Sequence, residues 1–105
     1  MKTEPWTDAL AVAGLPVDDV TAVTVAGREI ALYRVGDEVF ATDNLCTHGP
    51  GRLCDGFLLD HEIECPLHQG RFDIRSGQPT CEPVTVALRT YPVRIEGGRV
   101  FLRLD

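Results

Sequence analysis

The chain has 105 residues, enough for one small domain and too few for a second core. Its composition, 44% hydrophobic and 25% charged, is typical of a folded globular protein and excludes a disordered one. Sixteen acidic against ten basic residues give a net charge of -6, which argues against nucleic-acid binding because such proteins are basic. No apolar run approaches the ~18 residues of a membrane helix. The first residues also lack the charge order of a signal peptide, so we expect a cytoplasmic protein.

Alternating segments near the start of the chain predict β-strands. Residues 20–25 are rich in Val and Thr, and residues 29–34 and 39–42 also alternate apolar with polar side chains. Gly36-Asp37, between the last two segments, is a hairpin turn signal.

A second hairpin is predicted at the end of the chain. Residues 93–96 and 100–104 alternate around Gly97-Gly98, a two-residue turn typical of tightly connected antiparallel strands. With ten Gly and seven Pro in the chain and no helical periodicity, the sequence predicts an all-β fold.

The segment 43–77 differs from both ends. It holds five glycines and two prolines, and its only strand-like pieces are residues 57–59, 63–64 and 72–74. We therefore expect it to bury little apolar surface and to be held by bound metal. The sequence predicts a single domain, residues 1–105, in which both ends form an antiparallel β base and residues 43–77 form an inserted subdomain.

Both candidate metal-binding motifs lie in this segment. Two of the four cysteines are closely followed by histidine, in Cys46-Thr47-His48 and Cys65-Pro66-Leu67-His68, whereas Cys54 and Cys81 are not. In a cytoplasmic protein, such cysteines indicate metal or redox chemistry rather than disulfides. The sixteen intervening residues include a turn at 60–62 that can bring the two motifs together.

Two thiolates and two imidazoles can hold either a tetrahedral zinc ion or an iron–sulfur cluster with mixed ligands. Zinc fingers of this ligand set usually group the two Cys together and the two His together, whereas each loop here supplies one of each. This arrangement favours a two-metal cluster, and a structural zinc site is the alternative.

Residues 46–51 (CTHGPG) and 65–72 (CPLHQGRF) closely resemble the two cluster loops of Rieske-type iron–sulfur proteins. The resemblance is strongest to the soluble ferredoxins of bacterial aromatic-ring-hydroxylating dioxygenases, in particular the naphthalene dioxygenase type. It implies the Rieske iron–sulfur fold, a β base with an inserted cluster-binding subdomain. It also implies one [2Fe-2S] cluster, with one iron held by two cysteines and the other by two histidines: Cys46 and Cys65, His48 and His68.

The resemblance also bears on the reduction potential. Two thiolates instead of four leave the cluster less negative, and Rieske potentials run from about -150 to +300 mV against about -400 mV for plant-type ferredoxins. Respiratory Rieske proteins have a disulfide at positions that match Gly51 and Leu67, and Ser and Tyr hydroxyl donors at positions that match Gly70 and Phe72. Because this chain lacks those donors, we expect a potential in the lower part of the range.

The resemblance implies a one-electron carrier of aromatic hydrocarbon catabolism rather than an enzyme. Its expected partners are an NAD(P)H-dependent flavoprotein reductase and a terminal oxygenase with a Rieske centre and a mononuclear iron, and we expect it to be monomeric when free. The alternative is a Rieske-like small subunit of a larger oxidoreductase such as nitrite reductase. A self-contained oxygenase is excluded, because only His61 remains for a two-His-one-carboxylate iron site.

Several other residues invite a functional interpretation. We interpret Cys54 and Cys81 as bystanders, with a place beside the cluster as the alternative for Cys54. We expect His61 to be an exposed turn residue. Pro79 and Pro83 either belong to a loop that shields the cluster from water or are ordinary turn residues.

The segment 43–73 is strongly acidic. Six Asp and Glu against two Arg give it a net charge of -4. This charge serves either solubility or electrostatic steering onto basic docking surfaces.

Overall fold

The computed structural model describes residues 6–47, 49–67 and 69–104. Over these residues the chain forms strands and two short 3-10 turns, so the expected all-β fold is confirmed. None of the helices in this part of the chain is long and apolar enough to cross a membrane. The strands are β1 Trp6–Ala11, β2 Asp19–Val25, β3 Arg28–Val35, β4 Glu38–Asp43, β5 Phe57–Leu59, β6 Glu62–Glu64, β7 Arg71–Asp73, β8 Pro79–Cys81, β9 Thr90–Tyr91, β10 Val93–Glu96 and β11 Arg99–Arg103, and the 3-10 turns are Val12–Gly14 and Leu53–Asp55.

The strands form three antiparallel sheets, in the orders β1-β11-β10, β2-β3-β4-β9 and β5-β6-β7-β8. The first two are built from both ends of the chain, as the sequence predicts, since β1 pairs with β11 and β4 with β9. Gly97 and Gly98 both have positive φ, as a tight hairpin turn between β10 and β11 requires. β1 and β8 are not predicted from the sequence.

Strand β3 is buried on both faces and separates two cores. Successive side chains of a strand point to opposite faces, so Ile30 and Leu32 pack into the core of the β base. Ala31 and Tyr33 point the other way, into a core that includes Cys46 and Cys65. The β base thus forms the wall against which the two predicted cysteine ligands, Cys46 and Cys65, are placed.

The inserted segment contributes more to this second core than the sequence suggests. Leu53, Ile63, Phe72 and Ile74 are all fully buried there, so the expectation that the segment buries little apolar surface is wrong. Such a side chain contributes about 1.5–3 kcal/mol on burial. The signal is weak in the sequence because each three-residue strand turns only one side chain inward. The limits of the subdomain at 43–77 remain a prediction; the sheet that it forms also includes β8.

Candidate metal centre

The two Cys–His motifs form loops with the same backbone closure. In loop 1 (residues 46–51) the N–H of Cys46 donates to the carbonyl of Gly51 at 2.8 Å. In loop 2 (residues 65–70) the N–H of Cys65 donates to the carbonyl of Gly70, also at 2.8 Å. Each loop therefore holds its cysteine at the base of a closed turn of the same length.

The structure brings the two predicted cysteine ligands together. Cys46 and Cys65 are 4% and 1% exposed. Burial, and to a smaller extent the adjacent Cys46 thiol, raise the pKa of the Cys65 thiol to about 11, although a hydrogen bond from the Leu67 backbone lowers it in part. The predicted ligands His48 and His68 lie outside the described residues, so the assignment of all four ligands remains a prediction.

Loop 1 lies directly against loop 2. A Cβ atom on Gly51 would lie 2.9 Å from the Cys65 sulfur and 3.2 Å from Leu67 Cγ, so the packing leaves no room for a side chain there. Two buried thiols enclosed by closely packed backbone provide the soft donor set that an iron–sulfur cluster requires. The described part of the site therefore fits a cluster bound between the loops.

A further segment, residues 82–88, which we call the proline loop, covers both cluster loops. The Thr47 hydroxyl in loop 1 donates to the Val86 carbonyl at 2.7 Å. Val84 is buried, and its Cγ1 lies 2.6 Å from the position that a Cβ on Gly70 would take in loop 2. This segment therefore contacts both loops, but its role in shielding the cluster from water remains a prediction; Thr47 and Val84 are contacts that the sequence did not reveal.

The proline loop is fixed at its far end as well. The N–H of Leu88 donates to the carbonyl of Gly77 at 2.8 Å. Gly77 has φ +79°, and a Cβ there would lie 2.3 Å from the Leu88 oxygen, so only glycine fits. Pro79 is not part of this loop, because it pairs with Phe72 in strand β8.

The other candidate residues lie around the site in different roles. None of the four cysteines forms a disulfide; Cys81 is exposed, whereas Cys54 is partly buried beside Asn44. His61 lies in the turn between β5 and β6, but its ring packs edge-on against Phe40, with centroids 5.7 Å apart, so it is less exposed than expected.

Each loop is followed by an arginine that is paired with a glutamate. Arg52 follows Gly51 and pairs with Glu29, and hydrogen bonds from Asn44 and then from Arg52 lower the pKa of that carboxyl. Arg71 follows Gly70 and pairs with Glu64 at 3.0 Å. The acidic charge beside the loops is thus partly neutralised.

The loop geometry, the two buried thiols and the all-β architecture define an iron–sulfur protein, and a family model for the Rieske [2Fe-2S] domain matches residues 5–92. The chain therefore belongs to the Rieske family and carries a [2Fe-2S] cluster. It is similar over nearly its whole length to the ferredoxin component of the naphthalene 1,2-dioxygenase system of Pseudomonas aeruginosa. The two are 59% identical over 103 residues, which cover 98% of this chain and 99% of that protein.

Solved structures give the same result. The ferredoxin of carbazole 1,9a-dioxygenase from Nocardioides aromaticivorans matches with a TM-score of 0.92 at 36% identity, covering 95% of this chain and 98% of that one. A chain from a complex of reduced oxygenase and oxidised ferredoxin in carbazole 1,9a-dioxygenase matches with a TM-score of 0.89 at 34% identity, covering 96% and 94%. The family expected from the two motifs is confirmed.

Proposed function

We propose that this protein is the ferredoxin component of an aromatic-ring-hydroxylating dioxygenase system. It carries single electrons from an NAD(P)H-dependent flavoprotein reductase to the Rieske centre of a terminal oxygenase. The observation that carries this proposal is the pairing of two identically closed Cys–His loops around the buried thiols of Cys46 and Cys65. It is supported by similarity to dioxygenase ferredoxins over nearly the full chain.

The proposed ligands are the thiolates of Cys46 and Cys65 and the imidazoles of His48 and His68. When bound, the [2Fe-2S] cluster supplies reversible one-electron redox chemistry. The chain itself holds the two thiols side by side and excludes water from them by burial. Gly51 lets loop 1 approach the Cys65 sulfur closely, a contact that a larger residue would prevent.

Exposed apolar side chains on the three segments around the site are suited to brief contact with a partner. Leu45, Leu67 and Val86, which we call the apolar rim, are 57%, 39% and 61% exposed. Leu45 precedes loop 1, Leu67 belongs to loop 2 and Val86 to the proline loop. Central apolar contacts surrounded by charge suit an interface that must form and dissociate quickly.

The packing of the proline loop supports a potential in the lower part of the Rieske range. Gly70 has no side chain, and Val84 fills the space where one would lie. Phe72 is fully buried and has no hydroxyl. Neither residue can donate a side-chain hydrogen bond that would stabilise the more negative reduced cluster.

Electron paramagnetic resonance of the reduced protein tests the ligand set. We expect a Rieske-type signal from the wild type and its loss in His48→Cys and in His68→Cys, because each substitution changes a nitrogen ligand. His61→Gln is the matched control and should keep the wild-type signal. An unchanged Rieske signal in either cysteine variant would contradict the assignment.

Electron transfer with purified reductase and oxygenase tests the partners. We expect Leu67→Ser and Val86→Ser to slow transfer, whereas Val17→Ser, at a residue before β2 whose exposure lies between theirs, should not. Transfer should also slow as ionic strength rises if the acidic segment 43–73 steers the encounter. Equal rates in all three variants would rule out the apolar rim as a docking surface.

We further propose that the free protein is a cytoplasmic monomer. A reducing compartment suits the two thiols, Cys54 and Cys81, that the chain carries beyond the proposed ligands. Size-exclusion chromatography checks the monomer and distinguishes a carrier from a permanent subunit, because a carrier elutes alone at about the mass of its chain, 11.5 kDa.

A further inference from the structure

The chain segments just before and after each cluster loop, which we call its stem, differ between the two loops. Below loop 2, strands β6 and β7 continue as a regular ladder in which Glu64 pairs with Arg71, Ile63 with Phe72 and Glu62 with Asp73. Below loop 1, the only described backbone pairing of this kind is the bridge between Leu45 and Arg52. The chain then turns away into the 3-10 turn Leu53–Asp55.

One side chain takes the place of the missing ladder. Asn44 is fully buried, and its backbone carbonyl accepts a hydrogen bond from the Leu53 N–H at 2.7 Å, beside the Leu45–Arg52 bridge. Its side-chain Oδ1 accepts from the Cys54 N–H at 2.9 Å, and its Nδ2 donates to the Cys54 sulfur at 3.3 Å. These contacts join the strand that leads into Cys46 to the turn that leaves loop 1.

Asn44 also fastens this stem to the β base. Its backbone N–H donates to the Glu29 carbonyl at 3.2 Å. Glu29 lies in β3, the strand that separates the two cores. The position of Cys46, two residues further on, is therefore fixed relative to the β base through Asn44.

We propose that Asn44 is the positioning residue that holds loop 1, and with it Cys46, in place against loop 2 for cluster retention. The inference rests on the proposed ligand set. Removing a buried side chain that satisfies a backbone donor leaves that donor unpaired, which is more destabilising than the loss of the bond alone. The loss falls on loop 1, because its stem has no ladder to keep its two sides together.

Release of iron to a chelator measures this role. We expect Asn44→Ala to release iron about 10–100 times faster than the wild type, the range typical when support of a metal ligand is removed. The reduced variant should also give a broadened paramagnetic resonance signal, because Cys46 then occupies several positions. Asn44→Asp keeps the acceptor for the Cys54 N–H but loses the Nδ2 donor, and should release iron at an intermediate rate.

Thr42→Val is the matched control. Thr42 is also fully buried, two residues before Asn44, and its hydroxyl lies 2.7 Å from that of Tyr33 rather than on the stem of loop 1. It should lower the unfolding temperature but release iron at the wild-type rate. If Thr42→Val and Asn44→Ala, compared at matched stability, accelerated iron release equally, the effect would be general destabilisation. That result would overturn the proposal.

The remaining outcomes are also decisive. If Asn44→Ala does not fold, Asn44→Asp carries the test, and a wild-type release rate and signal in that variant would overturn the inference. A wild-type protein without iron or acid-labile sulfide would instead overturn the proposed function.

Discussion

The two cluster loops are alike in length and closure but are held by different means. Loop 2 continues into a three-pair ladder between β6 and β7, so many backbone hydrogen bonds share its support. Loop 1 depends on one bridge and on the side chain of Asn44. A ladder tolerates substitution at most of its positions, because its bonds are made by the backbone, whereas a side-chain clamp is lost with one substitution. Equivalent positions in the two loops should therefore respond differently except where they bind the metal directly.

The largest effect is expected where the loops are equivalent. Cys46→Ala and Cys65→Ala should each abolish cluster binding, because both thiols are proposed ligands on the same iron and neither has a substitute. Iron, acid-labile sulfide and visible absorption of anaerobically purified protein measure this. Cys81→Ala, at an exposed cysteine on β8, is the control and should retain the cluster. Retention in one of the two ligand variants would show that the loops do not share the metal centre as proposed.

Substitution of the glycines that close the loops, Gly51 and Gly70, should have different effects, because the two positions contact different parts of the protein. In Gly70→Ala the new methyl group overlaps Val84, and we expect a loss of about 1–3 kcal/mol in the free energy of unfolding, as for other overpacked sites. Because the conflict is with one side chain, Gly70→Ala should be less destabilising in a Val84→Ala background. Chemical denaturation of the two single variants and the double variant measures the coupling, and additive losses would contradict the contact.

Gly51→Ala should act on the metal centre instead. Its methyl group would press on the Cys65 sulfur and on Leu67 in the opposite loop. We expect an altered paramagnetic resonance signal and faster iron release, while Gly70→Ala keeps a signal closer to wild type. If Gly70→Ala instead altered the signal more than Gly51→Ala, then Val84, and not the contact between the loops, would set the ligand geometry.

The two glutamate–arginine pairs should contribute unequally to the free energy of unfolding, because they differ in burial. The Glu64 side chain is 16% exposed and that of Glu29 is 41% exposed, so water screens the second pair more. We expect Glu64→Gln to lower the free energy of unfolding by up to about 1 kcal/mol. Glu29→Gln should lower it less, and added salt should remove its effect first. Denaturation curves of both variants at low and high salt test this prediction. A larger stability loss in Glu29→Gln than in Glu64→Gln would contradict it.

Sequence reasoning found the parts of this protein that local pattern encodes. The predicted hairpins correspond to β3–β4 and β10–β11, since alternation and a turn signal lie within a few residues of each other. It missed β1, whose pairing with β11 joins residues about 90 positions apart, and β8, which has only three residues. These strands are defined by their partners, and no local signal precedes them.

The candidate site shows the same difference between features that have a local sequence signal and features that depend on tertiary contacts. The Cys–His spacing identified the metal-binding loops because ligands on one short loop are adjacent in sequence. Asn44 gave no signal, since an Asn after Asp43 reads as an ordinary turn residue, and its burial depends on the 3-10 turn around Cys54. Val84 was missed because its contact with Gly70 follows from the tertiary path of the proline loop. Residues that position the ligands are thus encoded in packing rather than in spacing.

The smallest expected effect lies at the far end of the loop 2 stem and concerns stability rather than the metal. The Asp73 carboxylate accepts a hydrogen bond from the Arg75 side chain at 2.9 Å, which holds its pKa below its ordinary value. A carboxyl whose pKa is lowered by folding stabilises the protein above the pKa of the unfolded chain. That contribution is lost as pH falls through the lower, folded-state value.

At neutral pH we therefore expect Asp73→Asn to lower the free energy of unfolding by about 0.2–0.5 kcal/mol, and the difference from wild type should shrink on acidification. Unfolding curves from neutral pH to below the ordinary pKa of Asp measure it. Iron release should stay at the wild-type rate, because the ladder pairs of β6 and β7 above Asp73 remain intact. Faster iron release in Asp73→Asn would mean that the loop 2 stem is as sensitive to one side chain as the stem of loop 1, and the contrast between the loops would fail.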